Sequence, residues 1–253
     1  MNKYNGLFTY VYEHFWPAFG RNAAALVLDY YQHTEAGKSG LPVLDLCCGT
    51  GDLANLFLQH DYAVTGVDFS PDMLAIARQK NAEYIEAGSA EFIEADVADF
   101  QLEQTFGLVV STYDSFNHLP NIEHVKRTLK QAASVLAKNG RIIFDMNTER
   151  GLRQLNNIYV MEQPDAVVVT RSLFDARNAC SLMRITGFVN TGEQCYERFE
   201  QSLTNHVYNL REITAFLRNL GFSNIVFTRA DDLCTPISNP EDEDRVFIIA
   251  GRD

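Results

Sequence analysis

Three aspartates and two glycines stand where a nucleoside could be held. Asp45 lies in the apolar run Val43-Leu44-Asp45-Leu46, and Cys47-Cys48-Gly49-Thr50-Gly51 follows at once. Glycine lets a backbone turn sharply and approach a ligand with no Cβ in the way. Gly49 to Ala54 fits the G-x-G-x-x-A form of a dinucleotide fingerprint, a match that is weak by itself. Asp68 closes the next apolar run, where a carboxylate can accept from both hydroxyls of a ribose. Asp96 closes a third run and suits an adenine amino group, with the Val97 backbone beside the ring. Asp45 discriminates among ligands: it would oppose a pyrophosphate, whereas an ammonium and a sulfonium gain from it. The charges favour S-adenosyl-L-methionine over NAD.

A second group, Tyr113-Asp114-Ser115-Phe116-Asn117-His118, follows a fourth apolar run, at the strand edge where open α/β sheets bind ligands. Asp114 and His118 are the catalytic candidates, with His118 as general base; Tyr113 and Asn117 are candidate acceptor contacts. The plain alternative is a loop that caps the next helix. Further on, Arg171, Arg184 and Arg198 are either ion-paired or anchors for a substrate carboxylate, and Arg184 and Arg198 are carried forward as acceptor contacts. His60 and His124 read as solvated helix residues, and Cys47 and Cys48 as packing beneath the glycine loop. No acidic trio suggests a metal.

These residues need strands to end beside one another. Short buried runs at 41–46, 62–67, 91–95, 108–111 and 141–146 alternate with helical spacing. Ser70-Pro71-Asp72 starts one helix, with a hydroxyl at the N-cap, proline at N1 and an acid in the first turn. Another runs from about 122 to 137 and stops at Asn139-Gly140. This rhythm predicts βαβ units and a mostly parallel sheet. It changes over 166–174, 180–189 and 195–207, joined by short turns at 175–178 and at Asn190-Thr191-Gly192-Glu193, which require antiparallel pairing. It returns with a helix at 210–220 and strands at 224–228 and 245–250. Residues 1–38 are helical and aromatic, with Tyr4, Tyr10 and Trp16 suited to one face of a lid. The expected layout is a core of 1–150 and 208–253, with 151–207 an inserted antiparallel sheet covering the acceptor site.

Composition narrows the classes further. A net charge of -12 without clustered Lys and Arg disfavours nucleic acid. No apolar run approaches the ~18 residues of a membrane span, and the N-terminus lacks a secretory pattern, so the expected location is cytoplasmic. Five cysteines without CxxC pairs point to neither zinc nor a disulfide framework.

"LDLCCGTGDLA", "GVDFS", "EADVADF" and "NGRIIFDMNT" resemble, in order, the motifs of class I S-adenosylmethionine-dependent methyltransferases. The resemblance implies a Rossmann-like α/β fold with a mostly parallel seven-stranded sheet and an antiparallel last strand. It implies cofactor contacts at Asp45, Cys47, Gly49, Gly51, Asp68, Phe69, Met73, Asp96, Val97 and Ser111, with Cys47 where many members have glycine. The inserted sheet is similar to that of a small-molecule branch, the glycine, sarcosine and aminosugar N-methyltransferases. "FTYVYEHF" resembles that branch's N-terminal segment and implies that Tyr12 reaches the cofactor's carboxylate, with Arg21 a second partner. The expected reaction is metal-independent methyl transfer to an N or O atom of a small molecule. An NAD(P)-dependent oxidoreductase and a non-catalytic cofactor-binding regulator remain the alternatives. Nothing in the residues sets an oligomeric state, a homodimer included.

Overall fold

The computed structural model describes residues 6–192 and 195–252; Tyr4 and Glu193 lie outside them. Helices α1 (Gly6–Phe15), α2 (Pro17–Gln32) and α3 (Glu35–Lys38) open the chain. There follow β1 (Val43–Leu46), α4 (Asp52–Leu58), β2 (Val64–Asp68), α5 (Pro71–Lys80), α6 (Ala82–Glu86), β3 (Ala90–Glu94), β4 (Phe106–Ser111), α7 (Ile122–Ser134) and β5 (Leu136–Asn147). After α8 (Glu149–Gln154) come β6 (Ile158–Gln163), β7 (Ala166–Asp175), β8 (Cys180–Gly192) and β9 (Cys195–His206). The chain closes with α9 (Leu210–Asn219), β10 (Asn224–Arg229), β11 (Asp232–Pro236) and β12 (Arg245–Gly251).

The main sheet runs β11-β10-β12-β5-β4-β1-β2-β3. Strand β1 pairs in parallel with both β2 and β4, so the winding reverses beside it and opens a crevice at the strands' carboxyl ends. Residues of β1 and β4 are buried throughout, as a sheet covered on both faces requires. Leu44, Leu46 and Val109 pack with α7 and α9 on one face. Val43, Leu108 and Val110 pack with α2 and α4 on the other. Strand β12 is antiparallel to both β5 and β10.

The main sheet has eight strands rather than seven. The extra one, β11, hairpins onto β10 at the edge; it is short and ends in Pro236, and so gives no alternating pattern to recognise. Strand β5 also begins at Leu136, earlier than expected. Asn139 takes a left-handed φ of 61° within that strand instead of ending a helix.

The second sheet, β6-β7-β8-β9, is antiparallel throughout and has four strands, not three. Strand β6 is nearly all exposed, so burial left no mark on its sequence. The inner face carries Ala166, Val168, Ile185, Val189 and Phe199, which pack on Phe8 and Val11 of α1 and on Met73 of α5. Helix α1 is thereby held between the second sheet and the core. A Cβ on Gly187 would overlap the Phe199 ring, and that ring meets Phe8 edge-on at 6.2 Å between centroids. Gly187→Ala is expected to cost about 1–3 kcal/mol by overpacking. Thermal unfolding followed by circular dichroism would register this as about 2–4 °C per kcal/mol; an unchanged Tm would refute the tight fit.

Candidate functional site

The loop after β1 contains three left-handed residues in five: Cys47 (φ 58°), Gly49 (φ 53°) and Gly51 (φ 77°). Asp68 holds this loop. Its Oδ2 accepts from Gly49 N at 2.9 Å and its Oδ1 from Ser70 N at 2.9 Å. Burial pushes the Asp68 carboxyl above its ordinary range, against the pull of those N–H groups. Cys47 adopts the left-handed region at a cost of roughly 1–2 kcal/mol. Burial, and then the Asp68 and Asp45 charges, raise its thiol, which disfavours thiolate chemistry.

A cavity of about 510 Å³ opens over the loop. At one end its wall holds Gly49, Asp68, Phe69, Met73, Asp96 and Val97; Cys47, Tyr12 and Trp16 stand midway. A smaller cavity of about 50 Å³ reaches under the loop to Asp45 and shares Tyr12, Trp16 and Cys47. Asp45 is 2% exposed and its Oδ2 has no hydrogen-bond partner. Burial first, and the Asp68 charge second, hold its carboxyl well above the usual range.

The opposite end is built around Arg245, the first residue of β12. Its Nη2 donates to Asp114 Oδ1 at 2.8 Å, its Nη1 to Asp145 Oδ2 at 2.9 Å and its Nε to Asn147 Oδ1 at 3.1 Å. Asp114 N donates to Asp145 Oδ2 at 3.0 Å, and Asn147 Nδ2 to Asp114 Oδ2 at 2.9 Å. Burial raises the Asp145 carboxyl to about 6, with Arg245 pulling it down and Asp114 up. Tyr113 (φ 71°) and Asp114 (φ 47°) are both left-handed, a strained pair that sets the loop's exit from β4. His118 Nδ1 lies 3.0 Å from the Thr204 carbonyl oxygen, and Nε2 lies 3.7 Å from Asp114 Oδ2. The second sheet closes this end with Met183, Ile185, Leu203 and Asn205.

Several expected residues stand elsewhere. Arg184 and Arg198 point from the outer face of the second sheet, 61% and 53% exposed, and both pair with Glu200. The β-strand alternation that turns Ile185 inward turns Arg184 outward. Arg21 is 66% exposed and lines neither cavity; it pairs at 3.9 Å with Asp52, which is on the wall of the smaller one. Asn117 is wholly buried; its amide ties Asn147 to the His206 carbonyl and is off the cavity wall. Ser111 and Gly51 line neither cavity; Gly51 instead starts α4. His124 is not solvated, since its side chain is 12% exposed and its Nε2 lies 2.8 Å from Asp96 Oδ1.

Arg245, Asp145 and Asn147 escaped the sequence reading. The only local signal was the polar ending Asp145-Met146-Asn147 on an apolar strand. Arg245 was read only as the start of the strand at 245–250, with no role for its side chain.

The reversed winding and the crevice define a Rossmann-like nucleoside-binding protein. Residues 43–140 match the family model described as a methyltransferase domain. The chain is 26% identical over 200 residues to YqeM of Bacillus subtilis (strain 168), provisionally named a methyltransferase, covering 76% of this chain and 79% of that one. A solved S-adenosylmethionine-dependent methyltransferase from Clostridium acetobutylicum superposes with a TM-score of 0.78, at 21% identity over 97% of each chain. The sugar N-methyltransferase KedS8 from Streptoalloteichus sp ATCC 53650 superposes at 0.74, with 20% identity over 96% of this chain and 92% of that one. This chain is an S-adenosylmethionine-dependent methyltransferase with the Rossmann-like fold. The site fits that cofactor: an orphaned, buried carboxyl oxygen at Asp45 lies one loop away from Asp68 and Asp96. The NAD(P) alternative falls with this assignment.

Two outcomes test the cofactor end. Removing the acceptors that Asp68 offers Gly49 and Ser70, in Asp68→Ala, should weaken S-adenosylhomocysteine at least about tenfold by calorimetry; unchanged affinity would refute the placement. Burial favours the protonated form of Asp45, and an ammonium arriving beside it should drive that proton off to the solvent. Affinity should therefore rise with pH until the unliganded carboxyl ionises, and the binding heat should vary with buffer ionisation enthalpy. Heat that is independent of buffer would remove Asp45 from the ligand's ammonium.

Proposed function

We propose that this enzyme methylates a small-molecule amine at nitrogen, without a metal. The carrying observation is that one cavity of about 510 Å³ joins Asp68 and Asp96 to Asp114, His118 and Arg245. An open acceptor end of this kind argues against a role in cofactor binding alone.

In this reading Asp45 and Tyr12 hold the amino-acid end of the cofactor, Asp68 its ribose, and Phe69, Met73, Asp96 and Val97 its base. Bound S-adenosylmethionine supplies a methyl group on a sulfonium, open to in-line displacement by an amine. The chain's task is then alignment and exclusion of water, worth up to roughly 7–11 kcal/mol through positioning. Leu119, Leu155, Met183, Ile185 and Leu203 supply the apolar wall. Above a pH of about 6 Asp145 is ionised, and two buried carboxylates face one guanidinium. That net negative charge favours a cationic or amine acceptor over an anionic one.

His118 handles the proton. With Nδ1 donating to the Thr204 carbonyl, the neutral ring keeps its lone pair on Nε2, at the cavity wall beside Asp114. Nε2 accepts the acceptor's ammonium proton, and Asp114 steadies the imidazolium that results. An amine needs nothing more to become a nucleophile, so no Lewis acid is called for. The superposition with a sugar N-methyltransferase also supports nitrogen as the target.

A panel of small amines and matched alcohols, assayed for methyl transfer, tests the reading. Amines should be methylated and alcohols not; transfer to oxygen alone would overturn it. His118→Asn should lower kcat by roughly a hundredfold and leave S-adenosylhomocysteine affinity unchanged.

A further inference from the structure

The base-binding end of the cavity contains a histidine that no motif announces. His124 lies on the first turn of α7, where its backbone N–H donates to Asn121 Oδ1 at 2.9 Å. Its ring edges the cavity beside Asp96 and Val97. Nε2 lies 2.8 Å from Asp96 Oδ1, and Nδ1 lies 3.0 Å from Arg127 Nη2. A guanidinium only donates, so Nδ1 must accept, and the neutral ring carries its proton on Nε2. That proton is donated to Asp96. The same oxygen, Asp96 Oδ1, accepts from Ala98 N at 2.8 Å. Both donors therefore fall on one carboxylate oxygen of a side chain that is 51% exposed. Oδ2 accepts from nothing among the described residues.

We propose that His124, locked in its tautomer by Arg127, is a positioning residue that fixes the Asp96 carboxylate and makes the enzyme select an amino-purine over an oxo-purine cofactor. This rests on placing the base at Asp96, as above. A half-exposed aspartate turns about two side-chain torsions, and one N–H on one oxygen does not fix the carboxylate plane. A second donor from another element does. The fixed Oδ2 then meets whatever stands on the purine's outer edge. A carboxylate only accepts, so it gains from an amino group and opposes a carbonyl oxygen. Discrimination of this kind is large only when the polar group of the site cannot turn away. Without Arg127 the imidazole is able to carry its proton on Nδ1, leaving a lone pair aimed at the carboxylate, and the lock is lost.

The test measures binding of S-adenosylhomocysteine and of its oxo-purine counterpart, S-inosylhomocysteine, to the full chain by calorimetry. Wild type should prefer the adenosyl compound. His124→Ala should lose affinity for it by about tenfold and change little toward the inosyl compound, so that the preference narrows. His124→Gln, whose amide can donate in place of Nε2–H, should recover most of the preference. Arg127→Met, which leaves the histidine in place, should narrow it by a smaller factor and keeps the test valid if His124→Ala unfolds on thermal denaturation. Equal losses for both compounds, or a preference unchanged in all three variants, would overturn the proposal. Wild type binding both compounds equally would overturn it while leaving the cofactor assignment standing; wild type binding neither would overturn both.

Discussion

Asp68 accepts from two backbone N–H groups on separate segments, Gly49 after β1 and Ser70 after β2. Everything at the cofactor end depends on that bridge. It fixes the left-handed run from Cys47 to Gly51 against the neighbouring strand, and so decides how close the loop's backbone comes to a ligand. It also places Ser70 to cap α5, whose Met73 is on the cavity wall and in the core beneath α1. One carboxylate thus joins the loop, the next helix and the lid into a single rigid frame. Keeping that charge buried is unfavourable, and the two N–H groups are what offset it.

The acceptor end follows a different logic. Its charges are held by one another, with the single Arg245 guanidinium shared by Asp114 and Asp145 and both carboxylates further tied to β5 and its neighbouring loop. A buried cluster of this kind adds little net stability, yet removing one member leaves the others uncompensated. It reads best as a device for geometry, holding the strained Tyr113-Asp114 pair in place so that His118 stands between the Thr204 carbonyl and Asp114.

The cofactor end was legible in the sequence because each of its residues belongs to a local pattern. A strand, a glycine loop and an acid at the next strand's end follow one another in a single strand–helix–strand unit, with Gly49 and Asp68 19 positions apart. Parallel register then brings those strand ends together without further information. The acceptor end was legible only at the Tyr113–His118 loop. Arg245 meets Asp114 across 131 positions, and no periodicity records such a meeting. Arg184 and Arg198 failed for a different reason. The runs identified strands correctly, but which of two alternating faces turns inward depends on α1, whose packing the strands themselves do not encode. His124 shows the same gap on a helix: its exposure was judged from its own neighbours, while its partner lies in the loop after β3.

The position of Arg245 also fixes an order of assembly. Residues up to α7 contain every group at the cofactor end, and β1 to β4 can pair as soon as they have emerged. The acceptor end has no counter-charge for Asp114 and Asp145 until β12, the last strand, slides antiparallel between β5 and β10. Only with that strand in place do Asp114 and Asp145 gain their shared cation, so the wall of the acceptor chamber is completed by the part of the chain farthest in sequence from the glycine loop.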